Sequence, residues 1–376
     1  MSAVFDKPTL WRRALPFLSG FDAALVMAII LLASAGLVTM YSAGFDHGTR
    51  FVDHFRNLLL ASCVLFIVAQ VPPQHLMRVA IPLYLAGLAL LIATALPGLG
   101  VTKKGATRWL NLGVTIQPSE IMKIAMPLML AWWFQRREGQ LRVLDFVIAT
   151  LLLVVPLALI VKQPDLGTAI LVLSAGLAVI FFAGLSWKLI IPVAMLAVAA
   201  VTAVIASEEK ICQPDVTWPL LRDYQKNRIC TLLDPTTDPL GKGFHTIQGE
   251  IAIGSGGTRG KGFMKGTQTH LEFIPERTTD FVFAAFAEEF GLFGCVGLVL
   301  GFLFLIFRGL MIAADAPTMF TRLLAGAITL SFFTYAFVNM GMVSGILPVV
   351  GVPLPFISYG GTAMVTLGLG LGILMS

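Results

Sequence analysis

Ten long apolar segments, separated by polar connections, dominate this sequence. A helix needs about 20 apolar residues to cross a bilayer, and a chain that is 57% hydrophobic and only 12% charged is not a water-soluble globular protein. The sequence therefore predicts an all-α polytopic membrane protein, with residues 1–376 forming one membrane-embedded domain. The predicted spans are 22–43, 55–71, 76–97, 117–134, 144–162, 167–185, 188–206, 281–307, 319–343 and 359–376.

The distribution of Lys and Arg between the short connections predicts the orientation. An even number of spans puts both termini on one side of the membrane, and Lys and Arg are enriched in cytoplasmic connections. With a cytoplasmic N-terminus, the inner segments hold ten basic residues: Lys7, Arg12, Arg13, Arg78, Arg136, Arg137, Arg142, Lys188, Arg308 and Arg322. The outer short connections hold six: Arg50, Arg56, Lys103, Lys104, Arg108 and Lys162. The prediction is a cytoplasmic (inner) membrane protein whose long 207–279 loop faces outward.

The net charge of +5 is small for 376 residues and follows these connections. Anionic lipid headgroups account for it, so the sequence argues for membrane lipids and against nucleic acid as partners. The first apolar run is of transmembrane length, which favours a retained anchor over a cleaved signal peptide.

The 207–279 loop has two halves of different composition. The first is polar, and we expect short amphipathic helices on the membrane surface, with Trp218 and Tyr224 at headgroup level. The second half, 244–270, is rich in Gly interleaved with Arg and Lys and is predicted to be irregular. It is either a flexible surface loop or a place where backbone amides and cations gather around an anion.

Two of the four cysteines, Cys212 and Cys230, lie in the outward loop, whereas Cys63 and Cys295 lie in predicted spans. An oxidising compartment would permit a disulfide between the first pair, closing a loop of roughly 19 residues and contributing about 3 kcal/mol in the chain-entropy model. Two free thiols are the alternative. The sequence contains no paired Cys or His spacing that predicts a metal site.

Charged residues inside predicted spans are costly and therefore candidates for function. The fourth span begins with Glu120 and Lys123, whose spacing of three places them on one helix face. They form either an internal ion pair or part of a wet cavity open to the outside. Just upstream, Lys103, Lys104 and Arg108 form a cationic cluster.

Several polar residues stand at boundaries between loop and span. Asp280 follows the long loop and precedes an apolar helix, so it is either a helix cap or a reactive carboxylate. The same alternatives hold for Asp165 and Ser358. Glu288 and Glu289 lie two turns deeper and are interpreted as buried polar contacts or as part of a cavity wall.

At these residues the sequence closely resembles the SEDS family (shape, elongation, division and sporulation), and its elongation-associated members more than its division members. The resemblance covers nearly the whole chain, with one departure at Thr278, where His is commoner. It rests on TKKGATRWLNLGVTIQPSEIMKIA (102–125), KQPDLGTA (162–169), GEIAIGSGGTRGKGFMKGTQTHLEFIPERTTDFVFA (249–284) and GILPVVGVPLPFISYGGTAM (345–364).

The resemblance implies a peptidoglycan glycosyltransferase that polymerises lipid II at the outer face of the cytoplasmic membrane. It also implies that Asp280 is the essential aspartate and that Glu120 and Lys123 line the cavity near it. The implied partners are a class B penicillin-binding protein, which is a transpeptidase, and the wider elongation machinery.

The residues available suit this chemistry. Transfer from a lipid diphosphate to a sugar hydroxyl by one in-line displacement inverts the anomeric centre and needs a base, which Asp280 can supply. The departing diphosphate needs cations, for which Lys104, Arg108, Lys123 and Arg277 are candidates. No cofactor is evident, and a divalent cation would fit although no ligand set indicates one.

Two other functional classes remain open at this stage. The same polar cavity and a lipid groove would serve a lipid II flippase, although a pump is expected to place ionisable groups near the bilayer midplane, whereas here most cluster toward one face. A non-enzymatic scaffold for the transpeptidase would explain the bundle but not the charges around Asp280.

Overall fold

A computed structural model describes residues 20–96, 99–103, 106–111, 113, 115–213, 216, 223–237, 239 and 243–376. Helix occurs in each of the ten intervals predicted to span the membrane. These helices are α1 (Ala23–Ala43), α2 (Arg50–Ala69), α3 (Pro73–Ala95), α4 (Pro118–Gln135), α5 (Val143–Lys162), α6 (Leu166–Phe182), α7 (Trp187–Ala206), α12 (Val282–Asp315), α13 (Met319–Val343) and α14 (Gly361–Leu374). The 207–279 loop adds α8 (Glu208–Ile211), α9 (Asp223–Leu233), α10 (Phe244–Gly256) and α11 (Thr267–His270).

Seven of the described helices, namely α1, α2, α3, α5, α7, α12 and α13, are long and apolar enough to cross a membrane. Helices α6 and α14 are apolar but shorter, with 17 and 14 residues, and α4 has 18 residues that include Glu120 and Lys123. A multi-pass helical membrane protein is thus confirmed, while the count of ten crossings stays a prediction. Helix α12 extends to Asp315, beyond the predicted 307, and kinks at Gly291.

Helices α4 and α13 form the centre of the bundle. Helix α13 packs against α12, α6 and α4, and α4 packs against α3 and α6. Large side chains such as Phe134 on α4 and Phe332 on α13 are fully buried there. In contrast, no residue of α7 is buried by the rest of the described chain. Most of the apolar surface of α7 is therefore available to lipid.

A small antiparallel sheet precedes α4, so the all-α prediction was wrong in this connection. Strands β1 (Gly100–Lys103), β2 (Ala106–Asn111) and β3 (Thr115–Ile116) are ordered β1-β2-β3. Thr, Val, Ile and Trp are frequent in this stretch, and such side chains favour strands. The pairing satisfies backbone groups in the connection between α3 and α4.

The 207–279 loop is more helical than predicted. Helices α8 and α9 confirm the expectation of short helices in the first half, whereas Trp218 and the side chain of Tyr224 lie outside the described residues. The prediction of an irregular second half was wrong for 244–256 and 267–270, which form α10 and α11, and it is confirmed for 257–266, which consists of turns and irregular backbone. Gly256 of α10 packs so closely on α12 that a Cβ there would overlap the carbonyl oxygen of Ala287. This close approach explains why position 256 holds a glycine, although glycine is unfavourable inside a helix.

The Cys212–Cys230 disulfide, which the sequence left open, is formed in the structure. It ties the beginning of the outward loop to α9. Lys226, also on α9 and buried, donates hydrogen bonds to the carbonyl oxygens of Gln213 (2.5 Å) and Val216 (2.6 Å). Two kinds of link thus fix α9 to the segment that follows α8.

Alkylation under denaturing conditions tests the disulfide. We expect two labelled cysteines, Cys63 and Cys295, without reduction and four after reduction, as measured by intact mass. Four labels before reduction would contradict the disulfide.

Substitution of Gly256 tests the packing of α10 on α12. Alanine in place of glycine usually stabilises a helix interior by about 0.5–1 kcal/mol, so Gly254→Ala, at an exposed position with open space around it, should leave the melting temperature equal or higher. Gly256→Ala should lower the melting temperature of the purified protein in detergent, because its Cβ overlaps the backbone of α12. Equal melting temperatures for the two variants would contradict this packing.

Candidate active site

Asp280 lies in a turn at one end of the bundle, immediately before α12. Phe281 takes the N-cap position of that helix, so Asp280 precedes the cap and the capping interpretation was wrong. The residue is half-buried. Its backbone carbonyl oxygen accepts a hydrogen bond from Nδ2 of Asn339 on α13 (3.0 Å). The turn that carries the carboxylate is therefore anchored to the centre of the bundle.

The segment between α13 and α14 holds this turn from the other side. The amide of Tyr359 donates to the carbonyl of Thr278 (2.8 Å), and the hydroxyl of Ser358 donates to the carbonyl of Thr279 (2.7 Å). Ser358 also accepts from the amide of Leu354 (2.8 Å). The N-cap of α14 is Gly360, so interpreting Ser358 as a cap was wrong. Ser358 instead joins the two segments.

The departure at Thr278 is accommodated by the same contacts. Thr278 is buried, with 4% of its surface exposed, and it holds Tyr359 through its backbone carbonyl. A backbone contact does not depend on the side chain, so this hydrogen bond needs no histidine.

Gly351 lies directly against the Asp280 carboxylate. A Cβ built on Gly351 would stand 3.4 Å from Asp280 Oδ2, and its φ of 76° favours glycine. The Asn339 side chain that binds Asp280 also donates to the carbonyl of Val352 (2.7 Å). One amide thus positions the Asp280 turn and the Gly351 segment relative to each other.

Asp165 supports a second cluster at the same end. It is the N-cap of α6 and accepts from the amide of Thr168 (3.3 Å), as one of the two interpretations predicted. Its other oxygen accepts from Gln117 Nε2 (2.8 Å) and Ser119 Oγ (3.2 Å), and Arg108 Nη1 lies 3.8 Å from the carboxylate. Capping and charge pairing are combined in this residue.

Arg108, on strand β2, packs against the turn between α5 and α6. Its Nε donates to the carbonyl of Gln163 (3.1 Å) and its Nη2 to the carbonyl of Pro164. Next to this turn, a Cβ on Gly167 would stand 2.9 Å from the carbonyl oxygen of Val350. The Asp165 cluster and the Asp280 turn therefore border the same short segment, 350–352. Lys104, the other cation predicted here, lies outside the described residues.

The predicted Glu120–Lys123 ion pair is present on α4, with 2.6 Å between Lys123 Nζ and Glu120 Oε1. Lys123 is 9% exposed, and its ammonium lies 5.5 Å from the centre of the Tyr335 ring. A cavity of about 30 Å³, enough for a water molecule, is lined by Lys123, Tyr335 and Thr366 among others. Tyr335 is one helical turn from Asn339, so this pair and the Asp280 turn contact the same face of α13.

Arg277, which was predicted to bind the diphosphate, forms an ion pair with Asp46 instead. Its Nη2 lies 2.5 Å from Asp46 Oδ2, and its Nε donates to the carbonyl of Ala43 (3.0 Å) at the end of α1. Burial raises the pKa of Asp46, but the hydrogen bonds from Arg277 and His47 outweigh it and hold that pKa below its usual range. The pair is therefore charged at neutral pH and links the Asp280 turn to the connection between α1 and α2.

The interpretation of Glu288 and Glu289 as buried polar contacts is confirmed. Glu288 is fully buried and accepts from the amides of Gln268 (2.8 Å) and Thr269 (3.0 Å) and from Lys261 Nζ (2.8 Å). Glu289 accepts from the Ser42 hydroxyl. The glycine-rich segment is thereby fixed to α12, and the charge of Lys261 is neutralised by Glu288 rather than left to gather an anion.

Sequence reasoning missed Asn339 and gave Arg50 no role beyond topology. An amide inside an apolar span, as at Asn339, was a usable signal because such groups are costly in lipid. Arg50 lies over the ring of Tyr359, with 4.4 Å between its guanidinium carbon and the ring centre. No sequence pattern pairs these two residues, which are distant along the chain.

This end of the bundle thus combines three carboxylates, Asp280, Asp165 and Glu120, with the cations Arg108 and Lys123. A half-buried carboxylate can accept a proton, and nearby cations can bind an anionic group. Within the described ranges, no three His, Cys, Asp or Glu side chains are grouped so that they could hold a metal ion.

Comparison with known proteins gives consistent matches over nearly the whole chain. The family model for the cell cycle proteins FtsW, RodA and SpoVE matches residues 16–376. The peptidoglycan glycosyltransferase MrdB of Escherichia coli strain K12 is 47% identical over 373 residues, covering 99% of this chain and 95% of MrdB. A probable peptidoglycan glycosyltransferase FtsW of Trichlorobacter lovleyi is 33% identical, covering 96% and 94%.

Solved structures show the same fold. A chain from a structure on the coordination of polymerization and crosslinking by a peptidoglycan synthase complex matches with a TM-score of 0.76 and 31% identity, covering 94% of this chain and 96% of that one. The rod shape determining protein RodA of Thermus thermophilus matches with a TM-score of 0.66 and 27% identity, covering 94% and 95%. The chain therefore belongs to the FtsW/RodA/SpoVE family, the SEDS family that its sequence resembles.

Proposed function

We propose that this protein is a peptidoglycan glycosyltransferase that polymerises lipid II into glycan strands during cell elongation. The observation that carries the proposal is the Asp280 turn, where a half-buried carboxylate is held against Gly351 by hydrogen bonds from Asn339, Ser358 and Tyr359. The 47% identity to a protein named as a peptidoglycan glycosyltransferase supports the reaction class.

Asp280 acts as the general base in this proposal. Its carboxylate takes the proton from the acceptor hydroxyl, whose oxygen attacks the anomeric carbon of the donor. The bond between that carbon and the diphosphate oxygen breaks, and the anomeric centre is inverted. A second carboxyl group to protonate the leaving group is unnecessary, because diphosphate departs as a stabilised anion, unlike the sugar oxygen that a glycosidase must protonate.

Cations at the same end stabilise the departing diphosphate. We assign this role to Arg108 and Lys123, with Lys104 as a further candidate. Each described cation already has an anionic neighbour, Asp165 for Arg108 and Glu120 for Lys123. These pairs hold the side chains in place before the substrate binds. A divalent cation would add to this neutralisation, although the proposal does not require one.

Arg277 was also a candidate for the diphosphate. Its contacts with Asp46 and with the end of α1 instead support a positioning role. We propose that it fixes the Asp280 turn against the connection between α1 and α2.

The Asp280 end faces the exterior of the cytoplasmic membrane in this account, with ten crossings and both termini inside. The bias of Lys and Arg toward the opposite connections supports this orientation. The lipid tail of the substrate enters sideways from the bilayer. Helix α7, which has no buried residue in the described chain, supports a lateral opening beside the bundle.

The partner that we propose is a class B penicillin-binding protein, which crosslinks the strands within the elongation machinery. The match to a chain of a peptidoglycan synthase complex that coordinates polymerization and crosslinking supports this pairing.

A lipid II flippase is the alternative function. It would use the same lipid opening but needs ionisable groups that can be exposed alternately to both sides. Asp280, Asp165 and Arg108 all lie at one end of the bundle, which favours chemistry at one surface.

Asp280→Asn tests the proposed base. This variant keeps the size of the side chain but removes the proton acceptor, so polymerisation of lipid II by the purified protein with its partner should fall by at least about 10²-fold, the order of a general-base contribution. Glycan chains separated by gel electrophoresis provide the measurement.

Asp53→Asn is the matched control, since Asp53 lies at the same end on α2 and its one ion pair within the described residues is a 3.4 Å contact with the exposed Arg56. It should retain the parent rate. Equal polymer from the parent and Asp280→Asn, with both bound to the partner, would remove Asp280 from the mechanism.

A further inference from the structure

A cavity of about 320 Å³ lies beside the candidate active site, between the disulfide-linked helix α9, helix α10 and the segment that follows α13. Helix α9 contributes Asn227, Arg228, Thr231 and the apolar Leu232, and α10 contributes Thr246. The third wall is the apolar run Leu347, Pro348 and Val349. The volume is at the lower end of the range for small-ligand sites.

This cavity is continuous with the Asp280 turn through the backbone. Val349 precedes by two residues Gly351, which lies against the Asp280 carboxylate. Two residues span at most about 7 Å, so the cavity wall comes within roughly 10 Å of the carboxylate. A peptide of three extended residues covers about that distance.

The side chains that line the cavity indicate which part of a lipid-linked disaccharide-peptide would bind there: the lipid tail, the diphosphate or the peptide. A lipid tail needs no polar partners, whereas Asn227, Thr231 and Thr246 offer three groups that can both donate and accept hydrogen bonds. A diphosphate is better matched by several cations than by one cation facing an apolar wall. A peptide has backbone amides, small aliphatic side chains and a free carboxylate, and these match the polar groups, the 347–349 wall and Arg228 respectively.

We propose that this cavity is the subsite that binds the peptide of the lipid-linked disaccharide-peptide substrate, with the peptide carboxylate bound by Arg228. The assignment rests on the proposed function, because it takes the sugar to be at Asp280. In this proposal the 207–279 loop, which supplies α9 and α10, recognises the peptide of the substrate.

The disulfide gives this loop its shape at the cavity. Cys230 lies between Arg228 and Thr231 on α9, and its bond to Cys212 fixes the helix that forms one wall. Lys226 on the same helix is tied to the carbonyls of Gln213 and Val216. The disulfide and the two Lys226 hydrogen bonds hold α9 in place before the peptide binds. The polar side chains of α9 are therefore already positioned, which lowers the entropic cost of binding.

The test compares two lipids with the full-length purified protein. One is lipid II with its complete peptide, and the other carries the same disaccharide, diphosphate and lipid but ends in a simple amide where the peptide begins. Both the dissociation constant, from displacement of a fluorescent lipid II, and the KM for polymerisation are measured. The variants are Arg228→Gln and Thr246→Val, and Arg56→Gln is the control because Arg56 is an exposed arginine at the same end.

We expect the parent protein to bind the peptide-bearing lipid about tenfold or more tightly than the truncated lipid. Arg228→Gln should remove most of that preference by weakening only the peptide-bearing lipid, since a hydrogen bond to a charged group accounts for a change of this order. Thr246→Val, which keeps the shape of the side chain, should act in the same direction. Arg56→Gln should keep the parent preference. Unchanged affinity for the truncated lipid confirms that each variant is folded.

The proposal is overturned if the parent binds both lipids equally, or if neither Arg228→Gln nor Thr246→Val changes the ratio of the two affinities. Failure of the proposed function has a different signature: no polymer forms from either lipid, while the preference for the peptide persists in the binding measurement.

Discussion

The amide of Asn339 is the contact on which the candidate site most depends. It donates to the carbonyls of Asp280 and Val352 from a fully buried position on α13. Leaving the buried carbonyl of Val352 without a donor costs about 1–3 kcal/mol, and the half-buried carbonyl of Asp280 shares the same donor, so the turn and the 350–352 segment are held together as a unit. Ser358 and Tyr359 close the same unit from the far side. The carboxylate is thereby placed by hydrogen bonds that it does not itself make.

Charges inside the bundle are accommodated in matched groups. Glu288 faces Lys261 and two backbone amides, Glu120 faces Lys123, and Arg308 pairs with Asp22 at the opposite end. An unpaired charge in lipid is costly, and pairing removes most of that cost. Asp280 lies at the end of the bundle, where it is half-buried, and its neighbour Gly351 has no side chain that would fill the space beside the carboxylate.

The sequence predicted features that depend on local spacing and missed those that depend on distant packing. The Glu120–Lys123 pair follows from a spacing of three on one helix, and the Asp165 cap from its place before an apolar run. The helix at Phe244–Gly256 could not be predicted in this way, because its glycines signal a loop until their contact with α12 is known. The amide of Asn339 inside an apolar span could have been noticed, but its partners could not be predicted, since they lie 59 and 13 residues away.

The central claim is that the Asn339 bridge positions Asp280 for proton transfer. The most direct measurement is the single-turnover rate of glycan bond formation by Asn339→Ala, taken together with its lipid II affinity and melting temperature. The account predicts a loss of about 10²-fold in rate, the order expected from a small misplacement of a reacting group, with lipid II affinity close to that of the parent. A folded Asn339→Ala variant that turns over at the parent rate would contradict it.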